Sequence, residues 1–492
     1  MAFFHGVKTY EVPTAILPPR RTYAALPIVF GVAPIHRLPP EDQERVKPGK
    51  IQIIFSADEA AQLYGISPQT DDFEHWTLSE FAYCEFSLFR VAPAIFANLF
   101  DPAVHKKTVS NETVDMSTGR GRLANPDVVG SLTLLPAIGG APFTEGVDYA
   151  FAPVTGVITA LDGGSLSGSA SATASYSYAD PSMVTKADCI GGYDITTGIT
   201  TGISLINQVF PKYRFVPTIG LAPKFGEDPE VAAVLRAACS AVNVIFKAVA
   251  LCDIPSDGPT GIKHYSDAAQ YKQLNNLVHR DFYLTWGKVK LGDKLMRMST
   301  QAACVMASVD ADYGDIPYAS PSNNNLQMSA FIVDGKEYIL TPEQANYLNS
   351  VGIATALNFM DGWKLWGNRT ACFPDVTDPK DTFITSRRMI GWYCNHLILT
   401  WWQRVDWPMN RRLAQTIVSS EQVHLNSLTA REALMGGRIA LQQDENAISD
   451  LIDGIITFHV YLGIVPPAEQ IIFNVEWDTD YMMNLFTGIT SA

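Results

Sequence analysis

Near the end of the chain two strand-like runs are separated by a proline pair, and this arrangement limits how the C-terminal part can fold. In Gly454-Ile455-Ile456-Thr457-Phe458-His459-Val460-Tyr461-Leu462-Gly463, β-branched and aromatic residues fill a run between glycines, with Ile456, Phe458, Val460 and Leu462 on one face. Pro466-Pro467 then interrupts the chain, since neither residue can donate to a ladder. Ile471, Ile472, Phe473, Asn474, Val475, Glu476, Trp477 and Asp478 resume an extended pattern, with Phe473, Val475 and Trp477 alternating against Asn474, Glu476 and Asp478. A strand held off by a rigid break either folds back on its own domain or adds to an exposed sheet edge in another molecule.

The first thirty residues have the same character. Val7, Thr9, Tyr10, Glu11 and Val12 form a short strand pattern, and Pro13, Pro18, Pro19 and Pro27 keep the following backbone extended. With 492 residues, 47% hydrophobic and 17% charged, the chain has ample material for two to four domains. A formal charge of -14 argues against nucleic acid as the main partner. Seven scattered cysteines without a CxxC spacing read as reduced core residues of a chain folded in a cytoplasm. The opening residues do not have the pattern of a signal peptide, and the most apolar stretch, 389–407, carries Asn395, His396, Gln403, Arg404 and Asp406 and reads as a buried helix rather than a membrane span.

Between the ends, a strand at 51–55 leads into Ser56-Ala57-Asp58-Glu59, a capping box for a helix stopping near Gly65, and another strand is expected at 86–91. From 107 to 185 the texture changes to short alternating runs at 131–135, 148–151, 156–160 and 174–178 with glycine turns, which reads as a small β-sandwich inserted in an α/β domain. The strand–helix rhythm returns with strands at 215–221, 244–253 and 282–289 and helices at 229–246 and 266–277, and Thr341-Pro342-Glu343-Gln344 caps a further helix. The expected fold class is therefore α/β, or α+β multidomain. It comprises an arm at 1–27, a mixed α/β body at 28–106 and 186–345, the insert at 107–185, a C-terminal α+β domain at 346–469 and a second arm at 470–492.

No phosphate loop, HExxH, GxSxG or dinucleotide glycine pattern is present, and the nine histidines are dispersed. Asp310-Ala311-Asp312-Tyr313-Gly314-Asp315 lacks the bidentate glutamate of a calcium loop and reads as solvated loop. No catalytic group, metal or cofactor is expected. Arg387-Arg388 and Arg411-Arg412 read either as solvated helix ends or as a basic face for an acidic partner surface.

Phe359-Met360-Asp361-Gly362-Trp363-Lys364-Leu365-Trp366-Gly367-Asn368-Arg369-Thr370 contains a two-residue turn signal at Asp361-Gly362, so it is expected to form a hairpin. Its wording resembles the contractile tail sheath proteins of myoviruses. Other similar stretches follow in order: Gly6-Val7 with Glu11, Ala187 through Asp194, Pro217 through Pro223, and Val465-Pro466-Pro467-Ala468-Glu469.

The resemblance covers nearly all the chain except the insert. It implies a homo-oligomer of stacked hexameric rings around a tail tube, with baseplate and tail terminator proteins as further partners. The expected location is the virion tail, after assembly in the host cytoplasm and without membrane insertion. Sheaths of R-type bacteriocins or type VI-like systems are related alternatives, and an α/β enzyme is the remaining one.

On this resemblance the strands at Val7, Thr9, Tyr10, Glu11 and Val12 and at Ile471, Ile472, Phe473, Val475 and Trp477 are donated to neighbours. Ile439 and Leu441, with Ile456, Phe458, Val460 and Leu462, belong to the host sheet. Trp363, Trp366, Gly367, Asn368 and Arg369 form the family hairpin, and Arg387, Arg388, Arg411 and Arg412 are expected to face the tube.

Overall fold

The computed structural model describes residues 22–485 apart from Ile138. The strand expected at 7–12 lies outside the described residues. The first three strands, β1 (Pro27–Gly31), β2 (Ile51–Ile54) and β3 (Ala94–Asn98), are almost wholly buried. The helix Ala57–Tyr64 forms between β2 and β3 as its sequence directs. Ser56 Oγ accepts the Glu59 N–H, the Glu59 carboxylate accepts the Phe55 N–H, and Gly65 at φ +68° ends the helix.

The strand expected at 86–91 is helical instead. A helix starting at Thr77 continues through Tyr83–Leu88 with π-type turns, and the strand is β3. Continuing an existing helix adds a backbone hydrogen bond per residue without a new nucleus, and this outweighs the short alternation of Phe86 and Leu88.

This helix buries Glu85, whose Oε2 has no hydrogen-bond partner, and burial pushes its carboxyl up to about 8. The unfolded carboxyl ionises near 4.5. Between these values unfolding releases a proton, so stability falls as pH rises through the window and levels off above it. Glu85→Gln is expected to match the parent near pH 4.5 and to be more stable at pH 8 by up to ~4 kcal/mol, measured by urea unfolding at the two pH values.

Six strands follow: β4 (Lys106–Asp115), β5 (Arg120–Arg122), β6 (Val128–Pro136), β7 (Tyr149–Ala152), β8 (Val157–Ala160) and β9 (Ser171–Ala179). They make two three-stranded antiparallel sheets, ordered β4-β9-β6 and β5-β8-β7. Val114, Leu134, Tyr149, Ile158, Ala174 and Tyr176 from both sheets form a core separate from that of the body. Arg37 ties this unit to the body, its Nε lying 3.0 Å from Asp127 Oδ1.

The body resumes with β10 (Ile219–Leu221), β11 (Val249–Ile254), β12 (Phe282–Trp286), β13 (Ile353–Asn358) and β14 (Trp363–Trp366). Together with the first three strands they form one eight-stranded sheet, ordered β2-β3-β1-β10-β11-β12-β13-β14. It is parallel except at its two edge pairs. A parallel sheet covered on both faces needs unbroken apolar strands, as in Val249-Ala250-Leu251-Cys252.

Two expectations change here. The run at 282–289 breaks at Gly287, where φ is +90° and a Cβ would lie 2.1 Å from the Phe331 ring, and Lys288–Leu291 passes into a separate four-stranded antiparallel sheet. The main sheet also crosses the expected boundary at 345/346, because β13 pairs in parallel with β12 at Leu284 and Ile353.

Helices α1 (Pro229–Ser240) and α2 (Met298–Asp312) pack on this sheet. Beyond it come α3 (Ile384–Trp401), α4 (Arg411–Ala430), β15 (Leu434–Ala440) and β16 (His459–Ile464). Met389, Tyr393, Leu425, Leu428, Leu434 and Ile439 give this part its own cluster. The helix expected at 389–407 begins earlier and ends at Trp401. No helix among the described residues is long and apolar enough to cross a membrane.

Candidate assembly site

Strands β15 and β16 pair antiparallel, with Arg438 opposite Tyr461 and Ala440 opposite His459. Glycine shapes this pair: a Cβ on Gly437 would lie 2.8 Å from Leu425 Cδ2, so α4 can lie this close only against a bare backbone. Phe458, Val460, Leu462 and Ile464 pack towards the α4 side. The expected alternation is thus present, but the strand pair is displaced from its expected bounds. Leu441, Ile456 and Phe458 lie outside the strand ends, and Leu441 is exposed. Gly454 ends a short helix at φ +82°, which delays the strand to His459.

The two edges of the pair differ. On β15 the Gln422 side chain closes the outer edge: its Nε2 donates to the Gly437 carbonyl at 3.0 Å and its Oε1 accepts the Ile439 N–H at 3.3 Å. An amide bonded in this way imitates one rung of a neighbouring strand. Among the described residues no such group closes the outer edge of β16, whose residues are all half-buried.

Residues 471–477 form no ladder with any described strand. Their apolar side chains face water: Phe473 is 84%, Val475 93% and Trp477 81% exposed, with Ile471 and Ile472 at 70%. An alternating apolar run without a partner among the described residues is the counterpart of an open sheet edge.

The hairpin at 353–366 and the residues that follow it hold the stem of this segment. Its turn lies one residue earlier than expected, the Phe359 N–H donating to the Gly362 carbonyl around Met360 and Asp361. Trp363 and Trp366 begin and end β14, and Gly367 is fixed by φ +145° and by an added Cβ lying 2.7 Å from Ala354 Cα. The Asn368 carbonyl accepts the Ile384 N–H, setting the start of α3.

Arg369 then clasps Glu469 with two guanidinium nitrogens, Nε at 2.8 Å, while Nη1 donates to Thr382 Oγ1 and the guanidinium lies over Phe373 and Phe383. A bidentate, ring-stacked arginine fixes direction as well as position. The chain therefore leaves the body directly after Pro466-Pro467-Ala468-Glu469 with a set orientation. Sequence reasoning singled out both segments without pairing them; one basic and one acidic residue a hundred positions apart carry no pairing signal. Gln422 carried no signal at all.

The four arginines separate. Arg387 and Arg388 are 7% and 5% exposed, which overturns their expected place on a tube-facing surface. Arg387 pairs with Asp281, and Arg388 pairs with Asp310 and donates to the Ala24 carbonyl. Both lie on the packed side of α3, where a charge is retained only with a partner. Asp310, expected in a solvated loop, is that buried partner at the end of α2. Arg411 and Arg412 are exposed on the first turn of α4. Cations there oppose the helix dipole, so helix stability does not account for them.

Two other shifted groups serve the core. Asp253, raised by burial to about 6, accepts from Ser299 and Thr285, and Lys272, lowered by burial to about 8, donates to the Val351 and Phe373 carbonyls.

No family model matches the chain. The tail sheath protein of Burkholderia phage BcepMu is 29% identical over 510 residues, covering 99% of both chains. A putative prophage major tail sheath protein of Pseudomonas aeruginosa is 24% identical over 295 residues, 58% of this chain and 71% of that one. Among solved structures, a chain of the contracted PVC sheath complex of an extracellular contractile injection system shares the fold, with a TM-score of 0.58 at 14% identity over 98% of this chain and 99% of that one. Over nearly its whole length the chain is thus similar in sequence to a phage tail sheath protein, and it shares its fold with a chain of a contracted sheath complex.

Proposed function

We propose that this chain is the structural subunit of a contractile sheath, in a phage tail or a related contractile injection system. It polymerises as stacked hexameric rings around a tail tube, between a baseplate and a tail terminator, by lending terminal strands to neighbouring subunits. The single observation that carries this reading is the exposed alternating run at 471–477, which pairs with no described strand, together with a two-stranded sheet whose β16 edge no described group closes. The full-length similarity to a tail sheath protein supports the same conclusion.

In this reading the two three-stranded sheets at 106–179 form an inserted outer domain, residues 1–27 and 470–492 are arms, and α3, α4, β15 and β16 form the inner unit. Backbone hydrogen bonds in a lent strand do not depend on the angle between subunit bodies. The bodies can therefore swing about the backbone just beyond Glu469, which Arg369 holds to the body, while the links hold. Contraction is then the release of an extended packing trapped behind a barrier into one that buries more surface.

Electron microscopy of the purified protein tests the reading. Tubes or stacked six-membered rings are expected, and monodisperse particles at high concentration contradict it.

A further inference from the structure

Beside the open pair lies an apolar groove of about 540 Å³ lined by Met409, Ala414, Val418, Leu441 and Ile456, with Arg411 at its rim. It sits where β15 has ended and β16 has not yet begun, against the first turns of α4. We propose that this groove is the seat for the far end of a second copy's C-terminal segment, with Phe473, Val475 or Trp477 entering it and Arg411 and Arg412 meeting Glu476 and Asp478. This deepens the strand-lending reading and rests on it.

Three observations choose this occupant. The first is chemical match: an apolar face alternating with acids fits an apolar trough with a basic rim, and no described carboxylate pairs with Arg411 or Arg412. The second is length. Ile456 to Ile464 spans roughly 30 Å and extended residues 471–477 roughly 23 Å, so a lent strand whose far end reaches the groove at Ile456 still lies along about four residues of β16. The third is that a chain's own segment is held at Glu469 by Arg369 and leaves its apolar side chains in water, so its own groove is not what covers them. The proposal also explains two cations at a helix start that the dipole disfavours.

Charge reversal in the full chain tests this. Arg411→Glu/Arg412→Glu places acids where a helix prefers them, so loss of assembly cannot be assigned to a damaged α4. The concentration needed for polymer, read by sedimentation, is expected to rise about tenfold or more, and adding Glu476→Arg/Asp478→Arg to the same chain is expected to return it to within about threefold of the parent. Parent-like assembly of the Arg411/Arg412 variant, or failure of the second pair to rescue it, overturns the groove assignment. A chain lacking residues 470–492 separates the two levels. If it polymerises, strand lending fails; if it does not and the charge reversals change nothing, only the groove assignment fails.

Discussion

Asp310→Ala is expected to destabilise the unassembled chain by about 3–5 kcal/mol, more than any exposed ion-pair change in the molecule. Asp310 lies at the end of α2 and Arg388 on α3, so their contact joins the eight-stranded body to the C-terminal unit. Both side chains are almost fully buried, and the guanidinium also donates to the Ala24 carbonyl at 3.1 Å.

Burial raises the Asp310 carboxyl more than Arg388 lowers it, so the pair is held against a desolvation penalty. Removing one partner strands the other charge in a dry site, whereas replacing both with apolar side chains of similar volume removes the penalty along with the attraction. Asp310→Leu/Arg388→Met is therefore expected to recover most of the loss. The midpoint of the first urea transition reads both variants, since a chain of several units need not unfold in one step. A loss below about 1 kcal/mol for Asp310→Ala would show the contact to be peripheral.

Much of the fold is legible in the sequence because local chemistry there agrees with packing. Ser56 and Glu59, and Thr341 and Gln344, start helices where their spacing directs, and the alternation expected at 174–178 falls within β9, where Ala172, Ala174 and Tyr176 are buried. The C-terminal run is equally legible as an apolar face without a local partner.

Other features depend on contacts no local pattern encodes. The burial of Arg387 and Arg388 is decided by Asp281 and Asp310, more than seventy positions away, and from sequence a doubled arginine reads equally well as a surface. The break at Gly287 is set by the Phe331 ring, and continuation of the sheet into β13 and β14 by a parallel register with β12. At the assembly site the open edge could be foreseen, but not which edge: Gln422 decides that by closing β15 from α4.

The second large effect concerns the C-terminal segment itself. Deleting residues 470–492 removes the exposed run and leaves Glu469 on Arg369, the pair β15–β16 and the three hydrophobic clusters in place. The side chains lost between 471 and 477 are at least 70% exposed, so the folded body gives up little buried area. Assembly, in contrast, would lose the backbone hydrogen bonds of every link that this segment makes. Sedimentation velocity of the truncated chain, at a concentration where the full chain forms polymer, puts this to the test. A single slow species with the secondary structure of the parent is the result expected if subunits are joined by lent backbone. Fast-sedimenting polymer from the truncated chain would contradict it.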